Sequence, residues 1–103
     1  MLLNTLERLM LIDLLPERGN LFTLRIIADL KHELAFSEDE VTALGLQETD
    51  GGDLSWNPKS STEKEVNIGL LATDVIQKRL RELNAQDALV PEHLSLCEKF
   101  HIT

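Results

Sequence analysis

The sequence has no tyrosine, a single cysteine and four aromatic residues among its 103 positions: Phe22, Phe36, Phe100 and Trp56. A core must therefore come from leucine, isoleucine and valine, which suits helix packing. Cys97 has no partner for an intramolecular disulfide, which fits a reducing, cytoplasmic setting. No apolar run approaches the ~18 residues that would read as a membrane-spanning helix. The opening MLLNTLERLMLIDLLP is broken by Glu7, Arg8 and Asp13 and carries no basic leader, so neither a signal peptide nor a membrane span is expected. Internal repeats and low-complexity segments are missing too.

Positive charge is scarce: 10 lysines and arginines face 18 aspartates and glutamates, a net charge of -8. A field of that sign repels phosphate backbones and anionic bilayers, which speaks against nucleic-acid or membrane binding. It suits a basic protein partner, or serves solubility alone. The usual marks of catalysis are absent as well. There is no glycine-rich phosphate loop and no glycine-framed serine, and Cys97 stands beside Glu98, which raises a thiol pKa instead of activating it. Neither an enzyme nor a cofactor is expected.

With 43% hydrophobic residues, a chain of this length can bury one core, so residues 1–103 read as a single domain. The centre of the pattern is Asn20 to Phe36. Leu21, Leu24, Ile27, Ala28, Leu30 and Leu34 fall at helical spacing between charged residues, and Ile26 adds a second apolar edge. Before it, Asn4 and Glu7 form a capping box for a first helix that runs to about Leu15 and is stopped by Pro16. That helix is apolar over more than half its circumference. Either it is sandwiched within one chain, or a stripe of Leu2, Leu3, Leu6, Met10 and Leu14 faces a second copy.

Ser37 and Glu40 make another capping box, opening a short helix over Glu38 to Leu44 that Gly45 closes in a left-handed conformation. Leu46 to Thr49 and Asp53 to Trp56 flank Asp50-Gly51-Gly52, the pattern of a β-hairpin with Leu46, Leu54 and Trp56 packed. Asn57 to Thr62 reads as a polar loop in which Pro58 stops the strand, and Glu65 to Ile68 alternates like a third short strand or else forms the first turn of the next helix. A second long helix follows from about Leu70 to Asn84, with Leu71, Ala72, Val75, Ile76, Leu80 and Leu83 as its stripe. Leu89 and Val90 are expected to tuck into the core. Pro91 then opens a last helix anchored by Leu94, Leu96, Cys97 and Phe100. The fold class is mainly α with a small β-hairpin (α+β), about five helices in all.

Three helices followed by a hairpin is a winged-helix-like order, but DNA reading does not follow. The third helix begins Glu38-Asp39-Glu40, the hairpin carries Glu48, Asp50 and Asp53, and no lysine or arginine lies between Lys31 and Lys59. His93, Cys97 and His101 are four apart and chemically able to ligate a metal. Spread over about 12 Å of helix, they cannot all reach one ion. A packed Cys97 between solvent-facing histidines is the simpler reading. Asp29, His32 and Glu33 share a helix edge and read as a surface cluster, while Asp50 to Asp53 lacks the spacing of a calcium loop. No metal site is expected.

The size, acidity and lack of catalytic motifs resemble those of many small accessory proteins, including phage-encoded ones, a likeness of class that transfers no site residue. The sequence thus points to a non-enzymatic protein-interaction module, self-associating (a homodimer or larger) through Leu2, Leu3, Leu6, Met10 and Leu14. The alternative is an acidic inhibitor that presents Glu38, Asp39, Glu40, Glu48, Asp50 and Asp53 to the basic groove of a nucleic-acid-processing protein.

Overall fold

Side-chain caps set the helix starts. Asn4 accepts a hydrogen bond from the Glu7 amide at 2.8 Å, and the Glu7 carboxylate accepts one from the Asn4 amide at 3.0 Å. This closed capping box opens α1, Thr5–Leu14. Asn20 caps α2, Leu21–Leu34, through the Thr23 amide. Ser37 and Glu40 repeat the reciprocal box at α3, Glu38–Leu44, which Gly45 ends at φ 64°. Gly69 precedes α4, Leu70–Ala85, with no side-chain cap. A short 3₁₀ turn, Pro91–His93, leads into α5, Leu94–Lys99. These elements are drawn from a computed structural model that describes residues 1–57 and 63–102.

The chain is mainly α, with two small antiparallel strand pairs. In the hairpin, β2 (Gln47–Glu48) pairs with β3 (Leu54–Ser55) in the register Gln47 to Ser55 and Glu48 to Leu54. Gly52, at φ 83°, lies in the turn between them. The alternating segment near Glu65 does form a strand, β4, but over Lys64–Glu65, and it pairs with β1, Leu2–Leu3, rather than with the hairpin. Nothing in the sequence pattern marks a strand at Leu2–Leu3. The polar loop expected around Pro58 to Thr62 lies outside the described residues.

The core gathers Leu3, Leu11, Leu14 and Leu15 with Ile27, Leu30 and Leu34 of α2, Ile76 and Leu80 of α4, and Val66, Leu96, Cys97 and Phe100. The buried stripe of α2 is narrower than the pattern implied: Leu21, Leu24 and Ala28 are exposed and Ile26 is half-buried. Leu71, Leu94, Val90 and Leu54 also stay exposed where packing was expected. On the hairpin, Leu46 and Trp56 are half-buried, while Leu54, nearer the tip, is exposed.

Polar side chains tie the elements where the core is thin. Arg79 donates from Nε to the Leu14 carbonyl at 2.8 Å, and Gln77 to the Phe100 carbonyl at 2.9 Å. Lys99 reaches both the Leu2 carbonyl and Glu7 Oε1, each at 2.7 Å. Arg8, 2% exposed, donates to the carbonyls of Leu34 and Ala35, at 3.1 and 2.7 Å from Nη2, and pairs with the Glu40 carboxylate. Its guanidinium lies 3.9 Å from the centre of the Phe36 ring. One arginine thus satisfies the free carbonyls at the end of α2 and anchors the first turn of α3.

Candidate functional site

The four leucines and one methionine expected to form an N-terminal contact stripe do not stay together. Leu3 and Leu14 are core residues, Met10 is half-buried against the core, and only Leu2 (51% exposed) and Leu6 (38%) face outward. The reason is periodicity. β1 is extended, so Leu2 and Leu3 point to opposite sides, while α1 turns positions 5, 7, 8, 11 and 14 inward together. Leu6 and Met10 fall on its flank. The polar residues Glu7 and Arg8 occupy part of the inward face that apolar residues were expected to fill.

Of the acidic residues, Glu38, Asp39, Glu48, Asp50 and Asp53 are exposed. Glu40 is not free for a partner. It is paired with Arg8, with Lys64 3.6 Å away. The hydrogen bond from Arg8 is the largest influence on it and outweighs partial burial. With help from the Ser37 amide and the charges of Arg8 and Lys64, the carboxyl is drawn down from 4.5 to about 2. Glu7 is buried almost completely. Burial pushes its carboxyl up, but hydrogen bonds from the Asn4 amide, Lys99 and Ser95, with the Lys99 charge, together leave it below the ordinary carboxylate range.

The histidines near the C-terminus divide. His93 is buried, correcting the solvent-facing expectation, because the 3₁₀ turn brings Nδ1 within 3.1 Å of the Val90 amide, from which it accepts. His101 is exposed at φ 57°, beyond the end of α5. Cys97 is buried between them, its thiol pushed up by burial and then by Glu98. Among the described residues, no group of three or more histidine, cysteine or carboxylate side chains is placed to hold a metal ion. No helix there is long and apolar enough to cross a membrane.

An open groove lies between α2 and α4. The groove, of about 610 Å³, is lined by Ile26, Asp29, Leu30, His32 and Glu33 on one side and by Leu70, Leu71 and Ala72 on the other. A second hollow of about 280 Å³ continues from the shared residues Ile26 and Leu71 to Phe22, Val75, Lys78, Arg79 and Glu82. Leu70 (91% exposed), Phe22 (61%) and Leu71 (57%) stand out of it. In the sequence pattern Ile26 is a second apolar edge of α2 and Leu71 belongs to the stripe of α4, while Phe22 and Leu70 fall outside both stripes. The available signal was a surplus of apolar positions on two helices whose cores were already complete. Compared with known protein families, curated proteins and solved structures, the chain matches none.

Proposed function

We propose that this chain is a non-enzymatic protein-interaction module, working in the cytoplasm, whose contact surface is the α2–α4 face. The observation that carries it is that Phe22, Leu70 and Leu71 are left open to water, with half-buried Ile26, along two adjoining hollows. Exposed apolar side chains are common singly, but a contiguous patch rimmed by charge marks a contact site. Burying the three most exposed of them against a partner would contribute roughly 3–6 kcal/mol before association costs. Self-association through the N-terminal stripe is not part of this reading, since Leu3 and Leu14 serve the core.

A photo-crosslinking residue in place of Leu71 or Phe22, irradiated in the native cell, tests the proposal. Discrete adducts should form there and not from the exposed control position Glu92. Silence at both groove positions would sink the reading. A second reading keeps the acidic inhibitor, now without Glu40. It is favoured by Glu38, Asp39, Glu48, Asp50 and Asp53, which are exposed and make no ion pair among the described residues. It expects adducts from position 39 or 53 that disappear as salt rises.

A further inference from the structure

The α2–α4 groove has the form of a seat for one more helix. Its α2 wall uses positions 22, 26, 29 and 33, and its α4 wall positions 71, 75, 78 and 82, each set spaced four, three and four residues apart. The helices run in opposite directions along it, since the hollow at Phe22 meets Lys78 and Glu82 while the one at Glu33 meets Leu70. Eleven residues of rise give a trough of roughly 16 Å, about three helical turns. An amphipathic helix lying there would place its apolar stripe over Ile26 and Leu71.

Charge separates the two candidate occupants. At the Phe22 end the cations are already engaged: Lys78 with Asp74 at 3.4 Å, and Arg79 with Glu82 at 3.1 Å and with the Leu14 carbonyl. At the other end Asp29 and Glu33 line the groove with no ion pair among the described residues, and of the residues lining that hollow only His32 is basic. A second copy would bring another net charge of -8 to this surface and no unengaged groove cation to meet Asp29 and Glu33. Complementarity therefore favours a cationic partner.

We infer that the groove takes an amphipathic helix of a partner protein, apolar on one face and carrying lysine or arginine at the end that meets Asp29 and Glu33. This rests on the α2–α4 face being the contact surface. The probe is a fluorescent, helix-stapled peptide of about 14 residues with leucines at the matching spacing and lysines at one end. Its counterpart carries glutamates in place of the lysines. Binding is read by anisotropy against the full chain. The lysine peptide should bind at least ~10-fold more tightly than the glutamate one and weaken as salt rises. It should lose ~5-fold or more with Asp29→Lys or Glu33→Lys, but little with Glu17→Lys, the same charge change outside the groove. Leu71→Asp should abolish it.

Equal binding of both peptides, or indifference to Asp29→Lys and Glu33→Lys, overturns the cationic occupant. So does failure of both peptides alongside a wild-type dimer, seen by light scattering, that Leu71→Asp dissociates. That result makes the occupant a second copy and leaves the face as the contact surface. Failure of both peptides with a strictly monomeric chain, and no crosslinks from positions 22 and 71, removes the inference and the face together.

Discussion

Replacing Glu40 by glutamine should cost stability in a way that depends on pH, and the structure sets both size and direction. In the folded chain Arg8 holds the Glu40 carboxyl near 2, against an ordinary value of 4.5. At about 1.4 kcal/mol per pH unit that difference corresponds to about 3 kcal/mol, trimmed to ~2–3 because solvent reaches Glu40. The folded value is the lower one, so the contribution is fully present above pH ~4.5 and is lost as pH falls toward ~2. Urea unfolding followed by circular dichroism should therefore show Glu40→Gln less stable than wild type by ~2–3 kcal/mol at pH 7, with the gap closing below pH 3. A gap that stays constant down to pH 2.5 would refute the role given to the ion pair.

Arg8→Met should be worse, by ~3–5 kcal/mol, because a buried partner is removed and the Leu34 and Ala35 carbonyls lose their donor. Apolar replacement of a buried ion pair is often tolerated. Here the double variant Arg8→Met/Glu40→Leu should remain ~1–3 kcal/mol below wild type, since those carbonyls have nothing to replace the guanidinium. The loss should also be local. Leu44 is buried yet lies outside the main core cluster, so α3 leans on Arg8 for attachment. Amide exchange in Glu40→Gln should accelerate over residues 38–48 before it does in α2 or α4.

Glu7→Gln strands the Lys99 ammonium and weakens the α1 box, so a cost of ~1–3 kcal/mol at pH 7 is expected from the same urea series. Because the folded carboxyl is lowered, that contribution also fades as pH falls below about 4.5. Gly45→Ala should cost ~1–2 kcal/mol through the left-handed backbone alone, as an added Cβ meets nothing within 4 Å. By contrast Gly69→Ser, at φ -76° before an uncapped helix, should gain a few tenths of a kcal/mol; calorimetry of the pair checks both signs. Cys97 should react with a thiol reagent at least ~100-fold more slowly in the native chain than in urea at pH 8, because the thiol is both buried and held protonated.

What was legible in the sequence was local. Asn4 with Glu7, Asn20, Ser37 with Glu40, and Gly45 each act within four residues, and each appears where the pattern put it. Helix existence followed, as did the hairpin turn. What was not legible depended on which side of a helix meets its neighbours. α1 is apolar over more than half its circumference, and its inward arc is decided by contacts with α2 and with the end of the chain. No spacing rule showed that Arg8 rather than Leu6 would be buried, since an interior arginine needs the Leu34 and Ala35 carbonyls and a Glu40 carboxylate some thirty positions away. The pairing of β1 with β4 was hidden for the same reason: two residues carry no alternation, and their partner is more than sixty positions distant.

The burial of Arg8 also bears on where partners can act. It joins α3 to α1 and α2 on polar contacts, whereas the α2–α4 groove is backed by Ile27, Leu30, Ile76 and Leu80 of the apolar core. Polar attachment yields to acid; apolar backing has no titration to lose. Near pH 3 the α3 segment, with Glu38 and Asp39, should therefore loosen while the groove keeps its shape. A contact seated between α2 and α4 is then independent of the Arg8–Glu40 link, whereas a contact made by the acidic face follows it. Measuring partner binding in Glu40→Gln at pH 7 separates the two surfaces. An unchanged affinity belongs to the groove, and a loss in step with amide exchange at residues 38–48 belongs to the acidic face.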